Sequence, residues 1–209
     1  MKEPIHVLII ENQTLTRVGI RMILETQNDL EIVGEAKTGA EGFALFKQMK
    51  PDVTILSLRL PDSCAIDVLD DYFAENRRAK IIILAEHAGD AEISKSLKKG
   101  ALGYVCKDVS ESDLVKAIRA VATGRKYLPG EIAGILSENF GREELTPAEQ
   151  KILGAIVGGK SNKEIAFDSR ISENTVKTHV KNIFDKLGVS DRTSAATLAI
   201  KRGLVRIDI

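Results

Sequence analysis

Apolar and polar positions along the front of the chain alternate between two patterns. Short runs rich in Ile and Val, "HVLIIE" (6–11), "EIVGEA" (31–36), "DVTILSL" (52–58), "AKIIILA" (79–85) and "GYVCK" (103–107), read as strands. Several are apolar throughout rather than alternating, as strands covered on both faces are. Between them, residues 14–25, 40–49, 65–74 and 90–99 carry apolar residues at helical spacing. "SESDLVKAIRAVATG" follows the last strand, with Ser110 and Asp113 spaced as a helix cap.

Five such units predict right-handed crossovers and one parallel sheet with helices on both faces. Ligand crevices in these sheets lie outside the C-terminal strand ends. The residues expected there are Glu11 and Asn12 after the first strand, Ser57 after the third, Ala85 and Glu86 after the fourth, and Lys107 after the fifth. The pattern divides the chain into a domain over 1–123, a linker over 124–144 with a short helical pattern in "PGEIAGILSENF", and a helical domain over 145–209.

The rear is punctuated by caps. Thr146, Pro147 and Glu149 form a capping box with a preset start, and Gly158-Gly159 closes that helix. Ser161 with Glu164 repeats the device, Ser172 to Gly188 frames a longer helix, and "RTSAATLAIKRGLV" makes a fourth. Two helices joined by a tight turn, the second longer and basic, predict a helix-turn-helix. At ~100° per residue, Val176, Val180, Ile183, Phe184 and Leu187 share one stripe, with Asn174, Lys177, Thr178 and Lys181 opposite. Lysine suits guanine acceptors, asparagine suits adenine, and the threonine methyl suits thymine.

Charge sharpens the division. The net charge of the 209 residues is zero, but residues 1–140 carry −3 and residues 141–209 carry +3, an asymmetry that points to a nucleic-acid end. With 44% hydrophobic residues, both halves can build cores. No run approaches the ~18 apolar residues of a membrane span, and no leader is evident, so a cytoplasmic protein is expected. Cys64 and Cys106 make neither a disulfide framework nor a zinc pattern. No cofactor or metal is expected. Both cysteines belong to the C-terminal rim of the sheet, and a redox pair would need them within about 7 Å. The simpler expectation is two small thiols that behave as hydrophobes.

The strand-end residues, with "LRLPD" and "GALGYVCKD", resemble the receiver domain of bacterial two-component response regulators. The resemblance implies a five-stranded, doubly wound, flavodoxin-like α/β domain. It also implies an acidic pair after the first strand, an acceptor aspartate after the third, a Thr or Ser after the fourth and a Lys after the fifth. This chain has Glu11 and Asn12, Ser57, Ala85 and Lys107 at those positions. A phosphoryl acceptor needs an ionised carboxylate and a magnesium site rich in oxygen ligands. Neither is supplied in full, so a degenerate receiver that takes no phosphate is expected. Lys107 is expected to pair with Glu11, or to bond Asn12 or Ser57. Ser57 in a merely vestigial pocket would bond nearby backbone. By the resemblance Tyr104 is the aromatic drawn inward by the switch hydroxyl, a bond that Ala85 cannot make.

"LTPAEQKILGAIVGGKSNKEIA…ISENTVKTHVKNIFDKLGVSDRTSAA" resembles the four-helix DNA-binding domain of NarL/LuxR-class regulators. The resemblance makes 162–181 the helix-turn-helix and places Lys177, Thr178 and Lys181 in the major groove. Asn174, Thr175, Lys160 and Arg192 become phosphate candidates. Such domains bind as dimers on inverted half-sites, with Ala195, Leu198 and Ala199 as the expected contact on the last helix. The reading is therefore a DNA-binding transcription regulator and not an enzyme, with double-stranded DNA and a second copy as partners. Other readings are phosphorylation on Ser57 or Asp62, a receiver that senses a small ligand or partner protein, and an interaction protein whose rear is a scaffold.

Overall fold

The computed structural model describes residues 3–87, 89–138 and 143–205, which form two compact units. Of the described residues, the first holds 3–87 and 93–136, and the second holds 89–92, 137–138 and 143–205. In this division residues 124–136, read from the sequence as a linker, go with the first unit.

In the first unit the strands β1 (Ile5–Ile10), β2 (Leu30–Ala36), β3 (Val53–Ser57), β4 (Ile81–Ala85) and β5 (Gly103–Cys106) form a sheet of order β2-β1-β3-β4-β5, parallel throughout. The helices are α1 (Thr14–Glu25), α2 (Gly39–Met49), α3 (Ala65–Glu75), α4 (Asp90–Lys98) and α5 (Glu111–Ala122). The continuous apolar runs are explained by the period of two. Leu8, Ile10, Leu56, Ile81, Ile83 and Tyr104 enter one core, with Phe46 of α2, Leu69 of α3 and Ile93 of α4. Val7, Ile9, Val53, Ile55, Ile82, Leu84 and Val105 enter the other, against Ile20 and Leu24 of α1 and Leu114 and Ile118 of α5. Both faces are covered, so β3 and β4 are apolar throughout apart from Thr54 and Ser57, both buried. Gly42 lets α2 lie directly on β1, because a Cβ there would stand 2.6 Å from the Ile10 side chain.

The stretch read as a linker completes this unit. The Tyr127 amide donates to the Leu102 carbonyl at 2.8 Å, and Tyr127 pairs in parallel with Gly103 on the outer edge of β5. Helix α6 (Gly130–Glu138) then buries Ile132 in the core shared with α2, α3 and α4. Asn139 and Phe140, the end of the pattern read as helical, lie outside the described residues. The signal for a domain rather than a linker was the apolar spacing of Leu128, Ile132 and Ile135, all of which pack on this core.

The second unit holds α7 (Pro147–Val157), α8 (Asn162–Ser169), α9 (Glu173–Leu187) and α10 (Arg192–Lys201). Thr146 and Ser161 form full capping boxes with Glu149 and Glu164, and Ser172 accepts from the Thr175 amide. Gly188, at φ 67°, ends α9 in the left-handed conformation that glycine adopts without a Cβ clash. Ile152, Leu153, Ile156, Ile165, Val176, Ile183, Leu187, Ala195 and Ala199 make its core. Glu149 is used twice: its carboxylate accepts from the Thr146 amide at 2.8 Å and from Lys186 of α9 at 3.0 Å. Burial alone would raise the Glu149 carboxyl, but these hydrogen bonds outweigh it and hold the group below its ordinary value.

Candidate DNA interface and receiver pocket

The C-terminal ends of β1, β3, β4 and β5 bring the expected crevice residues together. Glu11 is fully buried, and its Oε2 lies 3.0 Å from Lys107 Nζ. Lys107 also reaches Glu86 Oε1 at 3.1 Å. The expected pair of Lys107 with Glu11 is present, and Glu86 shares the same ammonium. Gln13 ties the cluster together, with its amide N–H donating to Glu11 Oε1 (2.7 Å) and its Nε2 to Glu86 Oε1 (2.6 Å). The hydrogen bond from Lys107 holds the Glu86 carboxyl below the usual carboxylate range, against a smaller opposing effect of burial.

Ser57 is 1% exposed, and its hydroxyl donates to the Arg59 carbonyl at 3.2 Å. The Asn12 amide, turned so that its nitrogen faces acceptors, donates to Glu11 Oε1 (3.1 Å) and to the same Arg59 carbonyl (3.2 Å). The residue in the acceptor position and the one replacing the second acid are therefore both satisfied locally. Asp62 is committed as well. Its oxygens accept the Gly39 and Ala40 amides at the start of α2, at 2.7 and 2.9 Å, and these bonds hold its carboxyl below the ordinary value.

Tyr104 departs from expectation. Ala85 carries no hydroxyl, yet Tyr104 is fully buried and its phenol donates to the His87 carbonyl at 3.2 Å. The ring belongs to the apolar core, where burying an aromatic body is favourable without any pull from residue 85. Both cysteines are free, and burial pushes the Cys106 thiol up, away from the thiolate form that redox chemistry uses.

Sequence reasoning passed over Gln13 and Arg17. The Arg17 guanidinium donates to the Glu11 carbonyl (2.8 Å) and the Asn12 carbonyl (3.4 Å), and it lies 3.3 Å from Glu35 Oε2. A signal was available, because Arg17 sits on the same α1 stripe as the buried Ile20 and Leu24. A cation on an inward stripe needs partners to offset desolvation.

In the second unit α9 buries Val176, Ile183 and Leu187 and exposes Asn174, Thr175, Lys177, Thr178 and Lys181. Lys177 keeps 58% of its side chain exposed, with Glu173 Oε1 3.5 Å away. The Thr178 hydroxyl donates to the Asn174 carbonyl one turn back (3.1 Å). Two phosphate candidates are engaged within the unit. Lys160 pairs with Asp168 at 2.7 Å, which raises its pKa, and Arg192 donates to the Lys160 carbonyl. Ala195 and Ala199 are fully buried, so they cannot form the contact surface expected of them; small residues on α10 serve close helix packing instead. Leu198 is half-buried and packs on the same core.

A phosphoryl-switch frame followed by a helix-turn-helix with an exposed Lys/Asn/Thr face defines a two-domain DNA-binding regulator. Residues 7–119 match the family of response regulator receiver domains, and residues 143–199 match the bacterial regulatory proteins of the luxR family. The chain is 38% identical to the transcriptional regulatory protein LiaR of Bacillus subtilis, over 96% of this chain and 99% of that one. It is 36% identical to the transcriptional regulatory protein MctR of Rhizobium johnstonii, covering 96% of this chain and 95% of the relative. A solved structure of two RcsB dimers bound to two parallel DNAs shares the fold, with a TM-score of 0.74 at 24% identity over 95% and 99% of the two chains. The chain belongs to the response regulator family with a luxR-type C-terminal domain, and it is a DNA-binding transcription regulator. No helix among the described residues is long and apolar enough to cross a membrane.

Proposed function

We propose that this regulator binds an inverted-repeat operator as a homodimer through α9, and that its receiver works without accepting a phosphoryl group. The observation that supports the second part is the state of the pocket. Ser57 is buried with its hydroxyl donated to a carbonyl, and the one ammonium is already held by Glu11 and Glu86. A serine nucleophile needs a base to take its proton, and the nearest acceptor here is the amide oxygen of Arg59, which is not basic.

Magnesium, which receivers of the ordinary pattern use, does not fit this donor set. It calls for near-octahedral oxygen ligation, usually with one or two carboxylates. Glu11 is the acid at that point, and its Oε2 faces an ammonium 3.0 Å away. Asp62, the other candidate acceptor, is a helix cap whose two oxygens are used. The receiver then serves to hold protein halves together, so that activity follows concentration, or to receive a partner or small ligand at the altered crevice.

On the duplex, Lys177, Thr178 and Lys181 read base edges, with Asn174 and Thr175 near phosphates. RcsB binds DNA as dimers; the same arrangement here predicts half-sites about one helical turn apart. Any contribution of α10 to the dimer comes from its outward residues, such as Thr197, Ile200 and Lys201.

The test is incubation with acetyl phosphate and magnesium, followed by intact mass and duplex titration. Neither mass nor affinity is expected to change, in wild type or in Ser57→Ala. A phosphoryl adduct that tightens DNA binding, or a tighter complex with beryllium fluoride, ends the proposal. Salt titration tests the duplex contact separately, since neutralised phosphates give a steep linear loss of log affinity with log salt.

A further inference from the structure

The helices of the second unit do not all end in the same way. After α7, α9 and α10 the chain turns through Gly159, Gly188 and Gly203, at φ 77°, 67° and 66°. After α8 it turns through Arg170, at φ 54° and ψ 44°. The bonds are those of a glycine stop: the Arg170 amide donates to the Phe167 carbonyl (3.2 Å) and the Ile171 amide to the Ala166 carbonyl (3.1 Å). Glycine takes up this left-handed geometry without a Cβ clash, and arginine does not. The helix end inside the helix-turn-helix thus carries a strained side chain where its three counterparts carry none.

A cation at a helix C-terminus is favourable in itself. Lys50, left-handed at the end of α2 (φ 47°), is explained by that. Arg170 has two further properties. Its side chain is exposed, and among the described residues its guanidinium has neither a hydrogen bond nor an ion pair. Two cations expected to meet phosphates are spent instead, Lys160 on Asp168 and Arg192 on the Lys160 carbonyl. Arg170 also stands two residues before Ser172, whose hydroxyl accepts the Thr175 amide (3.0 Å) at the start of α9. Its backbone is therefore fixed against α8 on one side and against α9 on the other.

A recognition helix enters the major groove with its N-terminal residues towards the base edges. The turn that delivers it crosses the groove wall, which is lined by phosphates. A guanidinium rooted there meets a phosphate with two parallel N–H donors in a fork of fixed geometry. Base edges lie deeper and are left to Lys177, Thr178 and Lys181.

We propose that Arg170 binds a duplex phosphate at the edge of the groove that α9 enters, and that the strain of its backbone is retained for this contact. The inference rests on the reading of α9 as the recognition helix. Such a contact carries no sequence information; it fixes the orientation and register of α9 on the duplex.

The experiment uses the full chain, a duplex selected from a random pool by the wild type, and a scrambled duplex of the same length. Affinity for both is measured as a function of salt, with urea unfolding alongside. The proteins are wild type, Arg170→Gly, Arg170→Lys and the double variant Lys177→Ala/Lys181→Ala. In Arg170→Gly, affinity for both duplexes is expected to fall by about tenfold at low salt, the range of a lost charge-assisted contact. The slope of log affinity against log salt becomes shallower by about one. The urea midpoint stays at or above that of wild type, because glycine removes the Cβ clash. Arg170→Lys restores the charge without the fork, so the slope returns to the wild-type value while affinity recovers only in part.

Unchanged affinity and slope in Arg170→Gly overturn the proposal. So does a loss of affinity accompanied by a lower urea midpoint, which makes Arg170 a helix-end charge that holds the turn. A loss confined to the selected duplex assigns the side chain to base edges, with the same consequence. A lysine variant whose slope matches that of the glycine variant also overturns it. Full affinity in the double variant, or a wild type that selects no duplex, defeats the reading of α9 and the proposal with it. A weakened double variant beside an unaltered Arg170→Gly defeats the proposal alone.

Discussion

The two regions of this protein use the same side chain in opposite ways. In the receiver crevice Lys107 is nearly buried, at 11% exposure, and two carboxylates hold its ammonium at 3.0 and 3.1 Å. On α9, Lys177 is 58% exposed, with a single acid 3.5 Å away on its own helix. A cation already paired at short range has little attraction left for a phosphoryl oxygen. One standing in water with a loose neighbour has most of its attraction to give when it meets a phosphate or a guanine edge. Charge is most available where the fold has not already neutralised it, and by that measure Lys107 is committed within the crevice while Lys177 is far less so.

The comparison breaks most visibly on α9. Replacing Lys177 and Lys181 by Ala together is expected to lower duplex affinity by at least about thirtyfold, taking ~1–3 kcal/mol for each lost contact. The thermal transition should not move. A double variant that binds as tightly as wild type would place recognition elsewhere.

The crevice is expected to respond in stability rather than binding. Lys107→Met leaves the fully buried Glu11 carboxylate without its counter-charge, which costs about 3–5 kcal/mol. Urea unfolding at neutral pH should show the loss. An unchanged midpoint would mean that Lys107 is a spectator, and the contrast drawn above would fail.

The smallest effect separates the two acids on Lys107. Glu86 is half exposed, so solvent screens its pairing and Glu86→Gln should cost less than ~1 kcal/mol. Because the folded Glu86 carboxyl lies below its ordinary value, its contribution is present above the unfolded pKa and is lost as pH falls through the folded one. The urea midpoint of Glu86→Gln should therefore fall less steeply on the acid side than that of wild type. Equal acid slopes would remove Glu86 from the account of the pocket.

Much of the frame was legible because it rests on local chemistry. The capping boxes of Thr146 and Ser161, the Ser172 cap and the Gly188 stop bound their helices as read, since each signal acts within one turn. The unbroken apolar runs identified strands covered on both sides, and the strand ends gave Glu11 and Lys107 as neighbours. Partners that come from elsewhere in the chain were not legible. Gln13 meets Glu86 across 73 positions. The apolar spacing of Leu128, Ile132 and Ile135 marks a face to be covered, but not that α2, α3 and α4 are what lies beneath it.

The sequence by itself determined the two domain types, the helix limits, the residues at the crevice and the basic face of α9, all through periodicity, capping and composition. Tertiary structure alone decided three further matters: that Glu86 and Gln13 close the crevice around Lys107, that Tyr104 turns inward without a hydroxyl at position 85, and that Ala195 and Ala199 are core. The reason is physical. A hydrogen bond within one turn is encoded by adjacent residues, whereas the pairing of a buried charge or the covering of an apolar face depends on which distant segments the packed fold brings within a few ångströms of it.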